Sequence, residues 1–151
     1  MPDPDDTRIL LDVMCGGLTS LLRMLGYDTV YALDRDAEDD DALLAVAREE
    51  ARYLLTRDRE LARRHEPSLY LRATDTDEQL AALAQAGFEL ELTEPTRCAT
   101  CNSTLDRVFD GPVPEYAPDP DAETLWRCPS CGQVFWKGSH WADVAERVAD
   151  Y

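Results

Sequence analysis

Lysine is almost missing from this 151-residue chain: Lys137 is the only one among 15 basic residues, and the rest are arginine. Against them stand 31 acidic residues, for a formal net charge of -16. The lack of a rich basic surface favours a restricted nucleic-acid substrate or a partner that delivers it. The acidity is not a tail, since residues 1–93 carry -11 and residues 94–151 carry -5. Such a composition suits a protein kept soluble in concentrated salt (a halophilic composition), and equally an acidic protein from a GC-rich genome. At ~1 M salt the Debye length is only ~3 Å, so repulsion from a nucleic acid would be largely screened. The chain also has no apolar run long enough to cross a bilayer, and its start, MPDPDD, is unlike a signal peptide. A soluble, cytoplasmic protein is expected.

Cysteine is scarce and odd in number: Cys15, Cys98, Cys101, Cys128 and Cys131. An odd count argues against a disulfide framework and for metal. Four of the five form two C-x-x-C pairs, CATC and CPSC, separated by 26 residues. Each pair lets two thiolates approach one ion from a tight turn, and the two together complete a tetrahedron, so Cys98, Cys101, Cys128 and Cys131 are the expected ligands of a structural Zn²⁺. A thioredoxin-like redox motif fits poorly, because there are two copies and neither follows a buried strand into a helix. A rubredoxin-like iron site stays open. With four thiolates no coordination position is left for chemistry.

Apolar segments alternate between strand and helix character up to about residue 92. RILLDV, DTVYAL, RYLLT, SLYLRA and FELEL suggest five strands. Between them, GGLTSLLRMLGY, DALLAVAREEA, RDRELARRH and TDEQLAALAQAG suggest helices, with Asp41 at an N-cap or first turn and a Thr76/Gln79 capping box. This order implies an α/β fold, a parallel sheet with helices on both faces. Near Pro95 the pattern changes to the cysteine knuckles, a Pro- and Asp-rich connection and short aromatic strands. SHWADVAERVADY closes the chain as a helix capped by Ser139. The expected division is residues 1–94 for the α/β domain and 95–151 for a small zinc ribbon with its C-terminal helix.

In an open parallel sheet, ligands gather at the carboxyl ends of the strands. Asp12 ends the first strand, Asp58 follows the third, and Asp41 opens the helix leading into it. Converging carboxylates with little else nearby suit Mg²⁺ or Mn²⁺, which take hard oxygen ligands and water. Each acid also has a plain reading: Asp58 as an N-cap, Asp12 as a turn residue, Asp41 as part of a solvated acidic run. Arg57, Arg59, Arg63 and Arg64, with Arg23 from the first helix, could clamp phosphates or simply pair with Glu60 and Glu66. Trp126, Phe135, Trp136 and Trp141 could stack bases, although a small ribbon needs aromatics for its core. His140 could contact RNA or the other domain, and His65 is expected on the surface.

LLDVMCGGLTSLLRMLGYDTVYA, DALLAVAREEARYLLTRDRELARR and RCPSCGQVFWKGSHW together resemble the Mut-seven C-terminal RNase domain family over roughly residues 8 to 142. The resemblance implies a PIN-like nuclease domain with a zinc ribbon appended. By position it assigns the metal-binding acids to Asp12, Asp41 and Asp58, with a further acid at Glu60. MCGGL departs from the usual M-L-G-x-L at Cys15, which fits a packed thiol without a chemical role. The implied activity is a metal-dependent endoribonuclease acting on RNA phosphodiesters. The alternatives are a non-catalytic RNA- or protein-binding adaptor on the same scaffold, and a toxin-type ribonuclease.

Overall fold

Short, nearly all-apolar strands need cover on both faces, and the computed structural model, which describes residues 2–151, shows how they obtain it. Arg8–Leu11 (β1), Asp28–Tyr31 (β2), Tyr53–Thr56 (β3) and Ser68–Tyr70 (β4) form one parallel sheet in the order β2-β1-β3-β4. Five α-helices follow among the described residues: Thr19–Met24 (α1), Asp40–Glu49 (α2), Arg59–Arg63 (α3), Thr76–Gln85 (α4) and Ser139–Val148 (α5). Because side chains alternate along a strand, Ile9, Leu11 and Leu55 face the layer made by α1, α4 and α5. Leu10, Val30 and Leu54 face Leu43, Leu44 and Ala47 of α2 and Leu61 of α3. Leu10 and Leu54 are fully buried, so Leu→Ala at either would cost roughly 2–5 kcal/mol. None of the described helices is long and apolar enough to cross a membrane.

The second unit is a three-stranded antiparallel sheet of Asp106–Val108 (β5), Leu125–Arg127 (β6) and Val134–Phe135 (β7). Its core is Cys98, Leu105, Trp126 and Cys128, with Phe135 packed against them. So small a core calls for a metal. The closing helix does not stay with this unit. Val144 and Val148 of α5 enter the core of the four-stranded sheet, and Arg147 pairs with Asp77 at 2.6 Å.

Several expected elements differ. Residues 88–92 form no strand: Phe88 and Leu90 are buried and Glu89 and Glu91 exposed, as alternation requires, but no ladder forms. Instead the Glu89 N–H donates to the Pro2 carbonyl, and the Glu89 carbonyl accepts the Tyr27 hydroxyl. The first strand stops at Leu11, and Val13–Leu18 is a 3-10 helix entering α1. Glycine permits that path, since a Cβ on Gly16 would lie 2.7 Å from the Tyr31 ring and one on Gly17 2.7 Å from Thr76 Oγ1. The Thr76/Gln79 capping box is absent: Asp75 caps α4 through the Glu78 N–H, and Gln79 donates to the Ala73 carbonyl. Ser139 does not cap α5 either, because the helix starts one residue earlier and Gly138 holds the cap position without a side chain.

Candidate functional site

β1 and β3 are neighbours in register, Leu11 opposite Leu55, so both chains leave the sheet at the same edge. The Asp12 N–H continues the ladder to the Leu55 carbonyl at 3.0 Å. Its carboxylate accepts the Val13 N–H at 2.8 Å and the Thr56 hydroxyl at 2.6 Å. Thr56 is fully buried, and its oxygen accepts the Asp58 N–H at 3.0 Å. Asp12 and Asp58 are thus two hydrogen bonds apart through one threonine. Asp58 Oδ1 caps α3 by accepting the N–H groups of Glu60 and Leu61 at 3.0 and 3.2 Å. Its capping role is real, and its second oxygen takes no hydrogen bond from the described residues.

More negative charge lies at this edge. Burial, and then the charges of Asp34, Asp12 and Glu38, push the Tyr31 hydroxyl above its ordinary pKa. That hydroxyl donates to the Val13 carbonyl at 2.7 Å. Cys15 is fully buried, and burial followed by the Asp12 charge pushes its thiol up to about 12. It is a protonated packing group, inert at neutral pH.

Asp41 is placed differently. It lies in the first turn of α2, which Asp39 caps, and its side chain is 93% exposed and 3.4 Å from Arg64. Among the described residues, only the four ribbon cysteines bring three or more such ligand atoms within 4.8 Å of one another. The expected convergence of Asp12, Asp41 and Asp58 at that distance is therefore not present, because the Asp41 carboxylate is turned to solvent and Arg64. Glu60 is also exposed, 4.0 Å from Arg63.

The arginines divide into two groups. Arg57 donates to the Arg72 carbonyl at 3.1 Å and keeps a buried Nε without a partner. Arg59 lies over the Tyr70 ring at 5.2 Å, and Arg63 is exposed. Arg23 is buried and serves the ribbon: it donates to the carbonyls of Thr29, Ala99 and Thr100 at 3.0, 2.9 and 3.1 Å. That placement corrects its reading as a phosphate clamp beside Asp58. His65 is half-buried instead of on the surface, with Nε2 2.9 Å from the Arg52 carbonyl.

The two knuckles repeat one geometry. The Cys101 and Cys131 N–H groups point at the sulfurs of Cys98 and Cys128, at 3.3 and 3.4 Å. Asn102 and Gly132 then take left-handed backbone, φ 67° and 80°, and return N–H bonds to the Cys98 and Cys128 carbonyls. Cys98 and Cys131 sulfurs lie 3.7 Å apart, close to the ~3.8 Å edge of a tetrahedron with Zn–S bonds of ~2.3 Å. Donor set and spacing both fit zinc. Without an ion the thiols compete for protons: a hydrogen bond with Cys131, with burial and Cys98 adding to it, pushes Cys101 up to about 12. Burial raises Cys128 too, but N–H groups of Cys131 and Ser130 outweigh it and bring it to about 7. A bound cation would remove that competition.

An α/β sheet with carboxylates at its carboxyl edge and an appended four-cysteine ribbon defines the class. The family model of the Mut7-C RNAse domain matches residues 7–148, and the chain belongs to that family, which gives it a nuclease-like function. No curated protein and no solved structure matches it. Sequence reasoning missed Thr56, whose only signal was a small hydroxyl residue at the strand end before Arg57 and Asp58. It also missed Tyr31 and Asn102, which become visible only when distant segments meet.

Proposed function

We propose that the protein is a metal-dependent endoribonuclease in which Asp12 and Asp58 form the metal-binding edge and RNA is the substrate. One observation carries this: the hydroxyl of buried Thr56 donates to the Asp12 carboxylate and accepts the Asp58 backbone N–H, holding both acidic residues at the carboxyl end of adjacent parallel strands, where α/β proteins place their chemistry. The donor set is all hard oxygen, with one Asp58 oxygen free of protein hydrogen bonds, which fits Mg²⁺ or Mn²⁺. A bound divalent ion there would supply charge stabilisation for a phosphodiester. Thr56 fixes the orientation of Asp12, and the α3 cap fixes that of Asp58. Arg57, Arg59 and Arg63 adjoin Asp58 in sequence and would meet the phosphates. Asp41 and Glu60 would join only through side-chain movement, because no three carboxylates among the described residues lie within 4.8 Å of one another. Residues 1–94 supply the catalytic domain, and residues 95–151 supply a zinc-held ribbon that assists RNA binding and the helix that anchors it.

A non-catalytic RNA- or protein-binding adaptor is favoured by the outward placement of Asp41. Manganese titration followed by electron paramagnetic resonance separates the two readings. The nuclease reading expects Mn²⁺ binding that weakens at least about tenfold in Asp12→Asn and Asp58→Asn, each a loss of roughly 1.4 kcal/mol or more. Equal affinity in all three proteins would favour the adaptor.

A further inference from the structure

Aromatic side chains that neither site uses gather at one place. Trp136, Trp141 and Tyr116 line a cleft of about 460 Å³ between the ribbon, the start of α5 and Ser20 and Met24 of α1. That volume lies within the roughly 300–1,000 Å³ of small-ligand sites. Packing of the ribbon does not account for these rings, since its core is built on Trp126, with Phe135 against it. They are held in place without being buried. The Val134 N–H donates to the Tyr116 hydroxyl at 3.0 Å, while the ring stays 57% exposed. Trp136 runs within 24° of parallel to Tyr116, with 6.2 Å between ring centroids. Its indole also fills the space a Cβ on Gly138 would need, 2.6 Å from Nε1.

Two cations stand at this cleft in a chain with net charge -16. The single lysine, Lys137, places its ammonium 5.9 Å from the centre of the Trp141 ring. Arg97 forms part of the cleft wall, as do Thr100 and Gln133. Gln133 accepts the Thr100 hydroxyl through Oε1 at 3.0 Å, which leaves its amide NH₂ as a donor. Flat aromatic faces beside cations and an amide donor match a nucleobase with its phosphate. Proline-rich peptides also dock on aromatic grooves, but they present no anion for the cations to meet.

We propose that this cleft is a nucleobase subsite for single-stranded RNA, with a base stacked on Trp136 or Trp141 and the adjoining phosphate facing Lys137 and Arg97. The subsite deepens the ribonuclease reading and rests on it. It assigns the ribbon a direct contact with substrate, and stacking makes that contact tolerant of base identity.

The test uses the full zinc-loaded chain with a labelled single-stranded oligoribonucleotide, in buffer free of Mg²⁺, Mn²⁺ and chelator. Fluorescence anisotropy is measured for the wild type, Trp136→Leu, Trp141→Leu, Trp141→Phe and Lys137→Gln. At least one of the two leucine variants is expected to bind roughly 5- to 150-fold more weakly, from the usual worth of one stacked base. Trp141→Phe should recover most of the loss at its position, which keeps the test readable if leucine loosens the ribbon. Lys137→Gln should weaken binding and flatten its salt dependence. An abasic ribose-phosphate oligomer should bind the wild type weakly and no longer distinguish the tryptophan variants. Wild-type affinity in both leucine variants, together with RNA cleavage by the wild type once Mn²⁺ or Mg²⁺ is added, would overturn the subsite alone. A wild type that does not bind RNA here and does not cleave it with either ion added would overturn both readings. Binding of a proline-rich peptide at the tryptophans, with no RNA binding there, would overturn the subsite in favour of a protein ligand.

Discussion

Replacing Asn102 with glycine would test how the zinc knuckle is fastened to the sheet. β2 is an edge strand, and the Thr29 N–H on its open side donates to Asn102 Oδ1 at 2.9 Å. Asn102 Nδ2 donates in turn to Asp28 Oδ1 at 2.7 Å, an oxygen that Arg52 also reaches at 2.9 Å. Thr29 is fully buried, so its orphaned N–H would cost about 1–3 kcal/mol. Losing the bond to the Asp28 carboxylate would cost about 1.5–3 kcal/mol more, offset in part because Arg52 remains. Glycine keeps the left-handed backbone, so the expected net loss is roughly 2–4 kcal/mol. Asn102→Ala should lose a further 1–2 kcal/mol or so, because a Cβ is disfavoured at φ 67°. Urea unfolding of zinc-loaded protein, with hydrogen exchange at the Thr29 amide, reads both terms. A glycine variant within about 0.5 kcal/mol of wild type, with Thr29 equally protected, would refute this fastening. The same network has a pH sign. Burial alone would raise Asp28, but hydrogen bonds from Asn102 and Arg52 outweigh it and hold the carboxyl below its usual range. The stability it contributes is therefore present above that usual range and lost as pH falls through the lowered value, so strong acid should loosen the ribbon.

Other outcomes follow from the same contacts. Cys98→Ser should abolish zinc binding by elemental analysis and open residues 95–138 to protease while the four-stranded sheet persists; a full zinc complement would contradict this. Thr56→Val keeps the shape but deletes the hydroxyl between Asp12 and Asp58, so it should cost about 1–3 kcal/mol and weaken Mn²⁺ binding more than Asp41→Asn does. Equal Mn²⁺ affinity in those two variants would contradict it. If the acidity serves a salty environment, the melting temperature should rise from dilute to molar KCl as repulsion is screened, and a flat or falling trend would count against that.

What was legible in the sequence was whatever depends on local pattern. RILL and YLLT are apolar on both faces, so they could only be interior parallel strands, and β1 and β3 are that. Leu43, Leu44 and Ala47 mark the buried stripe of α2. Cysteine spacing located the ribbon because the knuckle itself is local. Asp12 and Asp58 could be placed at one edge because strand ends carry their followers with them. What failed depends on which distant segments meet. FELEL shows which side chains are buried, but alternation does not name a partner strand. Arg23 reads in the sequence as a candidate phosphate clamp from the first helix, but it is buried and donates to carbonyls 76 and 77 residues away. Asp41 followed the same logic as Asp58, but its side chain is exposed to solvent beside Arg64. Thr56 carries no chemistry alone and gains a role only from the register of β1 against β3.

The central claim is that the Asp12–Thr56–Asp58 edge cleaves RNA with a divalent ion. The most direct measurement is cleavage of a labelled single-stranded RNA by zinc-loaded wild type and Asp58→Asn, with Mn²⁺ or Mg²⁺ added and omitted. The account predicts internal cleavage by the wild type only when the ion is added, and a loss of at least about 100-fold in Asp58→Asn, or roughly 2.7 kcal/mol, with zinc content and melting temperature retained. Cleavage that persists in Asp58→Asn, or a wild type inactive with either ion, would contradict it.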